Sequence, residues 1–455
     1  MPSLPPARST SPPSETSRTT RRGVLTALGA AGSVATAGCL GGDRDYDEAA
    51  GVASRTADWP TLGHGYSHTS YAPEESGPES KPSVAWSHEV FPTGQPAIVD
   101  DRVLVPDGES LRCFALEDGT ERWTYAADES AWTTPTVVAD RVYLAAGHDG
   151  IHAVSLSDGR RVDRWPLEGF VSAPPTPDRD GERLYVGTKR GRIHAIPLVG
   201  ATTGGTSTDD TASSGNSTAT DGSTSTATDD TATDDGASTG EAFGSPADGW
   251  IAELFGAFDA PVTPTRYGLF AATTGGDVYG LDTRDGQGRW RTKLPGIVTA
   301  APAATKGDVY VACLEAGLYR LRGERAGQVA WHHDGGGFVT GALTVAHGSV
   351  IGARANSVVA VDADTGTEEW SADVGGSPQR AAAVAGDTLY VGAFGAGVRA
   401  FRLSGGGLAG LVGAPRRWGL SLPGSAGEGV AVANGTVVAV GEGGEDYPSR
   451  VSALR

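Results

Sequence analysis

The chain has 455 residues, with 67 glycines, 55 acidic against 36 basic residues, and three cysteines. The glycines follow no three-residue period, which excludes collagen, and three cysteines are too few to staple so long a chain. A net charge of −19 excludes nucleic acid as the main partner, because phosphate binding requires a basic surface. Length alone sets a soft prior of roughly three domains, although closed β architectures exceed that size as one unit.

Residues 1–20 are polar and rich in Pro, Ser and Thr, and Thr20-Arg21-Arg22-Gly23-Val24-Leu25-Thr26 follows. Paired Arg21 and Arg22, with an apolar residue two positions on and then a leucine, resemble the twin-arginine export signal. Residues 24–37 are modestly apolar and too short to span a bilayer. They run into Thr36-Ala37-Gly38-Cys39, which resembles a lipoprotein box. That resemblance implies acylation of Cys39 and cleavage before it. The expectation is a signal peptide over 1–38, a flexible tether over 39–56, export by the twin-arginine pathway after folding, and lipid anchoring to the outer face of the cytoplasmic membrane. Two acyl chains are needed for a stable anchor.

Loss of residues 1–38 removes Arg8, Arg18, Arg21, Arg22 and Glu15, a net +3, and leaves −22. Lysine occurs only at Lys81, Lys189, Lys293 and Lys306. An acidic, lysine-poor chain resembles proteins of salt-loving archaea, where molar salt screens like-charge repulsion. A GC-rich genome favouring arginine codons accounts for the same bias.

Tryptophans recur at Trp86, Trp123, Trp165, Trp250, Trp290, Trp331, Trp370 and Trp418, with gaps of 37, 42, 85, 40, 41, 39 and 48 residues. The double-length gap contains a low-complexity run over 201–248. Each unit reads alike. In the second, Pro135-Thr136-Val137-Val138 begins a strand and Asp140-Arg141-Val142-Tyr143-Leu144-Ala145-Ala146 returns. Gly147-His148-Asp149-Gly150 turns into Ile151-His152-Ala153-Val154-Ser155-Leu156, and Asp158-Gly159 leads to the Trp-bearing strand. Four short strands with Gly and Asp turns in about forty residues are the signature of a propeller blade. The fold expected is all-β: an eight-bladed β-propeller of four-stranded antiparallel blades over 57–455.

The segments from Ala360 through Gly366 to Trp370, and from Gly280 through Gly286 to Trp290, resemble the tryptophan-docking repeats of the pyrroloquinoline-quinone-like (PQQ-like) propeller family. The resemblance implies a glycine with positive φ in the turn and an indole buried against the next blade. The last unit, from Gly429, ends without a Trp strand, whereas residues 83–88 precede the first complete unit. Pairing of the two ends should therefore seal the ring and remove its open edges. Upstream, Asp58-Trp59-Pro60-Thr61-Leu62-Gly63-His64 through Ser70-Tyr71 resembles the family's lead-in and is expected to cap one face or edge.

The 201–248 insert has nine acids and no base, too little apolar surface to order itself, and should protrude from blade three as a disordered loop. Asn216 inside it and Asn434 outside it head sequons for N-glycosylation.

Resemblance to quinoprotein dehydrogenases implies a catalytic Asp, a calcium and often a disulfide between adjacent cysteines. No segment matches the cofactor motifs. Cys113 and Cys313 fall in opposite blades and are expected to be buried thiols. No catalytic residue, metal site or cofactor is therefore assigned; PQQ and calcium enter only with the alternative of a PQQ-dependent dehydrogenase oxidising an alcohol or sugar. His332-His333-Asp334 reads as a surface loop after Trp331, since adjacent histidines on a strand would face opposite ways. His148 and His152 flank a turn where Asp149 completes a possible metal set, and turn capping is expected instead.

Binding is the default for such a ring. The residues just before each first strand should line the channel mouth: Gln95, Thr134, Ser172, Asp259, Thr299, Thr340, Arg380 and Glu428. The resemblance extends to the BamB-like lipoproteins, which implies a non-enzymatic scaffold for envelope proteins at a membrane surface, or a module for an extracellular ligand, as a monomeric propeller. A third reading, polysaccharide binding, requires exposed aromatics, and only Trp59, Trp132 and Tyr66 are spare.

Overall fold

The computed structural model describes residues 58–108, 110–126, 133–198, 249–334, 342–380, 382–403, 415–423, 425–444 and 448–455. Every described residue belongs to one compact unit that ends at Arg455. Arg21, Arg22, Cys39, Trp132, Asn216, the 201–248 insert and Thr340 lie outside the described residues.

Apolar runs broken by Gly and Asp turns fold as up-and-down sheets. Blade one comprises Ala97–Val99, Arg102–Asp107, Ser110–Ala115 and Glu121–Ala126, paired in chain order and antiparallel. Blades two to seven repeat this plan with first strands Thr136–Val138, Thr176–Pro177, Thr263–Thr265, Ala303–Thr305, Thr344–Ala346 and Ala383–Ala385. Blade eight takes Gly429–Ala433, Thr436–Gly441 and Arg450–Leu454 from one end of the chain and Val84–Glu89 from the other. The ring is an eight-bladed β-propeller closed by its two ends.

Inner strands are buried on both faces, as in Thr436–Gly441, whereas outer strands alternate, as in Glu121–Ala126. The core therefore lies between blades: Tyr143, Ala145 and Ile151 of blade two meet Leu184, Val186 and Ile196 of blade three. Full burial of each Leu, Val or Ile here contributes about 1.5–3 kcal/mol.

The outer tryptophans bind the next blade. Indole Nε1 donates to a backbone carbonyl from Trp86 to Leu116 (2.9 Å), Trp123 to Leu156 (3.1 Å), Trp250 to Thr283 (3.1 Å), Trp290 to Gly323 (2.8 Å) and Trp331 to Ala363 (3.0 Å). Gly366 lies on the Trp331 ring at φ +76°; a Cβ there would stand 2.7 Å from the indole. Trp165 and Trp370 pack against the cores of blades three and seven, whose corresponding turns lie outside the described residues.

The lead-in covers inner edges of the blades. It forms a strap along the inner wall of the ring and bonds to every blade. Trp59 pairs with Ile98 of blade one, and the Pro60 carbonyl accepts from Val137 N–H of blade two at 2.9 Å. His68 Nε2 lies 3.2 Å from Thr176 Oγ1 of blade three and 3.3 Å from the Val262 carbonyl at the start of blade four. The carbonyls of Ser67, Thr69 and Ser70 accept from Ala304, Val345 and Val384 of blades five, six and seven. Tyr71–Ala72 then adds a parallel strand to blade seven, and the Glu75 carboxylate accepts from Asn434 N–H of blade eight at 2.7 Å. Backbone groups on the inner strands of blades one, two, five, six and seven pair with the strap's backbone, as an unpaired buried N–H or C=O is costly.

Candidate interaction site at the mouth of the ring

Antiparallel order puts each second-to-third hairpin and each loop into the next blade on one face. Bridges between Pro92 and Asp107, Gly147 and Val171, Ile297 and Leu314, and Ser377 and Phe394 knit the two kinds of loop together there. This is the mouth face. The inner wall beneath it is tied by threonine hydroxyls donating to the following blade: Thr136 to Pro175 O, Thr263 to Pro302 O and Thr344 to Ala382 O, at 2.6–2.7 Å.

Residues preceding the first strands meet their neighbours in pairs. Gln95 N–H donates to Thr134 Oγ1 at 3.0 Å, and its Nε2 donates to the Val430 carbonyl at 2.5 Å. Ser172 Oγ donates to Asp259 Oδ1 at 2.8 Å, and Lys189 Nζ reaches the same oxygen at 3.1 Å. Arg380 Nη2 lies 2.9 Å from Glu428 Oε2, a half-exposed guanidinium on a buried carboxylate. Thr299 Oγ1 is buried without a hydrogen-bond partner. The two ion pairs stand at the junctions of blades three with four and seven with eight, across the ring from each other.

The strap reaches this level from below, where the Gly63 N–H donates to Gln95 Oε1 at 3.3 Å. Its aromatic residues are spent on the interior: Trp59 is 0% and Tyr66 2% exposed, so neither is available to stack on a sugar. The expectation that they were spare is corrected.

Above the strap the mouth face carries exposed apolar side chains among its charges. Phe91 is 78% exposed, Phe255 76%, Ile297 49% and Phe394 44%. The other exposed large apolar side chains among the described residues, Val84, Val162, Ile251 and Val329, are on outermost strands at the perimeter. Cations frame the aromatic rings: Lys189 Nζ lies 5.4 Å from the Phe170 centroid and the Arg291 guanidinium 5.7 Å from that of Phe255.

Calcium takes about six to eight oxygen ligands. The carboxylates of Asp259 and Glu428 are on opposite sides and each already holds a cation. Among the described residues no three His, Cys, Asp or Glu side chains gather as metal ligands. This donor set does not fit calcium, and no quinone step is derived.

The family profile of the outer membrane protein assembly factor BamB matches residues 75–233, 237–337 and 324–440. The chain belongs to the BamB family of PQQ-like propellers. No curated protein matches it. Among solved structures it is similar to BamB from Moraxella catarrhalis at 15% identity, over 83% of this chain and 98% of that one, with a TM-score of 0.57. Quinohemoprotein alcohol dehydrogenase from Comamonas testosteroni shares 12% identity over 90% of this chain and 82% of its own, with a TM-score of 0.63. A europium-containing methanol dehydrogenase shares 10% identity over 88% and 98%, with a TM-score of 0.60. These likenesses concern the fold.

The histidine candidates have structural partners. His332 and His333 continue the outer strand Gln328–His333 rather than a loop after Trp331, because both pair with the adjoining strand. His332 Nε2 bonds to the Ala316 carbonyl at 2.7 Å, and His333 Nδ1 to the Gly366 carbonyl of the next blade at 3.2 Å. His152 Nδ1 lies 2.9 Å from Tyr125 Oη of blade one and its Nε2 2.7 Å from Asp149 Oδ2, while Arg164 also binds Asp149. His148 meets Phe170 edge to face. Cys113 and Cys313 are buried free thiols, and burial pushes both up to about 12. Sequence reasoning missed the mouth-face phenylalanines; their spacing, two to four residues ahead of Gln95, Ser172 and Asp259, was the available signal.

Proposed function

We propose that this protein is an exported, lipid-anchored, non-enzymatic propeller that holds other envelope proteins on its mouth face. One observation carries the reading: the strap bonds to every blade and occupies the inner wall, while Phe91, Phe255, Ile297 and Phe394 stand exposed on the mouth face. Aromatic side chains are enriched at protein interfaces. Membership of the BamB family supports a scaffold, although assembly of outer membrane proteins is said of BamB itself. Arg21, Arg22 and Cys39 support export and acylation, and among the described residues no helix is long and apolar enough to cross a membrane.

Affinity capture from host membranes tests this, with wild type beside the pair Phe91→Asp and Phe255→Asp. Loss of the same captured proteins from the folded variant is expected; an unchanged set would overturn the assignment of the face. Cys39→Ser should release the protein from membranes. Adding PQQ and calcium and assaying alcohol and sugar oxidation addresses the enzyme reading, where turnover would refute the non-enzymatic role.

A further inference from the structure

The tip of the strap carries polar atoms that the protein itself does not satisfy. Trp59 Nε1 and Ser70 Oγ are buried and meet no hydrogen-bond partner in the protein, and the buried His64 ring has the Asp58 backbone beside it and a nitrogen left over. All three side chains are at most 2% exposed. They belong to one turn of the chain: the Trp59 and His64 ring centroids lie 5.2 Å apart at 63°, and the Ser70 N–H donates to the carbonyl of Gly63 at 2.9 Å.

The contrast within the same loop is informative. His68, equally buried, has Nδ1 on the Leu62 carbonyl at 2.9 Å and Nε2 between Thr176 Oγ1 and the Val262 carbonyl. The docking tryptophans of blades one, three, four, five, seven and eight each place Nε1 on a carbonyl. The backbone is also held in an uncommon form, with Gly63, His64, His68 and Ser70 all at φ between +52° and +72°. Residues in the left-handed region persist where the surroundings over-determine them, and they gather at functional sites. Here the loop keeps three polar side chains buried.

We propose that the strap tip is a built hydration site, in which a small cluster of ordered waters bridges Trp59 Nε1, His64 and Ser70 Oγ beneath the channel mouth. An indole N–H only donates, a neutral imidazole offers one donor and one acceptor, and a hydroxyl offers both. A guest must therefore accept from Trp59 and also donate to His64, and water does both. Buried waters characteristically join otherwise unsatisfied polar groups through two to four bonds each. Burial pushes His64 down to about 4 against a smaller upward pull from the Asp58 backbone, so the ring is neutral at pH 7 and offers no charge to an anion. The nearby carboxylates of Asp58 and Glu75, both buried on the same strap, oppose an anion further. The cluster would support the Gly63 contact with Gln95 and so set the floor of the mouth.

The test is a crystal structure of the purified protein at a resolution that shows solvent, with one crystal grown in chloride and one soaked in bromide. Solvent density within hydrogen-bonding distance of Trp59 Nε1 and of either His64 or Ser70 Oγ, without a bromide anomalous signal, is the expected result. An anomalous peak there would replace water by a halide and overturn the assignment. Side chains re-paired with protein atoms, with no solvent density between them, would overturn it equally. In a folded Trp59→Phe protein, the water bonded to Nε1 should be lost while the contacts of His68 persist.

Discussion

The indole Nε1 of Trp418 donates to the carbonyl of Pro78 at 2.7 Å. At the other described docking contacts the acceptor belongs to the turn between the third and fourth strands of the next blade. Blade eight has no such turn, because its third strand ends at Leu454 and its fourth begins at Val84. The strap supplies the missing acceptor, and Gly77 packs against Tyr390 beside it. Trp418→Phe should therefore cost about 1 kcal/mol for the hydrogen bond, and Trp418→Ala about 3–5 kcal/mol. Urea unfolding at fixed salt measures both.

Two glycines separate backbone strain from steric conflict. Gly395, at φ +77°, has nothing within 4 Å of the point where a Cβ would stand, whereas Gly366 faces the Trp331 ring. Gly395→Ala is expected to cost about 1 kcal/mol, the left-handed penalty alone. Gly366→Ala adds overpacking and should cost roughly 2–4 kcal/mol. Equal shifts in the unfolding midpoint would contradict the docking geometry.

Stability should fall as the solution is acidified from pH 6.5. Burial holds His64 and His194 down to about 4 and lowers His68, so below pH 6.5 the unfolded chain binds more protons than the folded one. His64 and His194 would each contribute a loss on the order of 2 kcal/mol by pH 5. Glu75 works the other way: burial raises it against the Asn434 hydrogen bond, and its protonation near and above the ordinary carboxyl range favours the fold. Unfolding free energy followed from pH 8 to 5, with a folded His64→Leu protein for comparison, checks the slope; the variant should be flatter.

Arg380 and Glu428 form the mouth pair in which one member is buried and the other half-exposed. A double-mutant cycle with Arg380→Met and Glu428→Gln should give a coupling of about 0.5–1 kcal/mol, discounted for the exposed guanidinium. Arg380→Met alone should be the costlier single change, since it leaves a buried carboxylate without its cation.

Cys113 and Cys313 should resist a thiol reagent in the folded protein and react only on unfolding. Both are buried, and their thiols are held at about 12, so almost no thiolate exists at neutral pH. Labelling counted by mass across a urea series should rise with the unfolding transition.

The ring was legible because its contacts repeat. Each Trp marks one outer strand, and Val84–Glu89 stood alone ahead of the first unit while the last unit lacked such a strand, so pairing of the ends followed. The strap was not legible beyond its resemblance to a lead-in. Pro60, Ser67, Thr69 and Ser70 engage the inner strands through backbone carbonyls, which leave no mark on side-chain pattern. The mouth residues were placed by counting back from each first strand. Their pairing partners, such as Lys189 for Asp259, come from hairpins of another register, which counting does not reveal.

Blade eight also dictates the order in which the molecule becomes complete. Ser87 Oγ and Ser452 Oγ are 3.0 Å apart in space and 365 residues apart in the chain. Seven blades can form from local hairpins while the chain is still being made, but the seal waits for residues 450–454 to be synthesised. Until then Val84–Glu89 has no partner strand and the nascent ring stays open at both edges, the state most prone to pairing with another chain. A ribosome stalled, or a message truncated, a few codons before Arg450 would thus yield an almost entire propeller that is nevertheless adhesive.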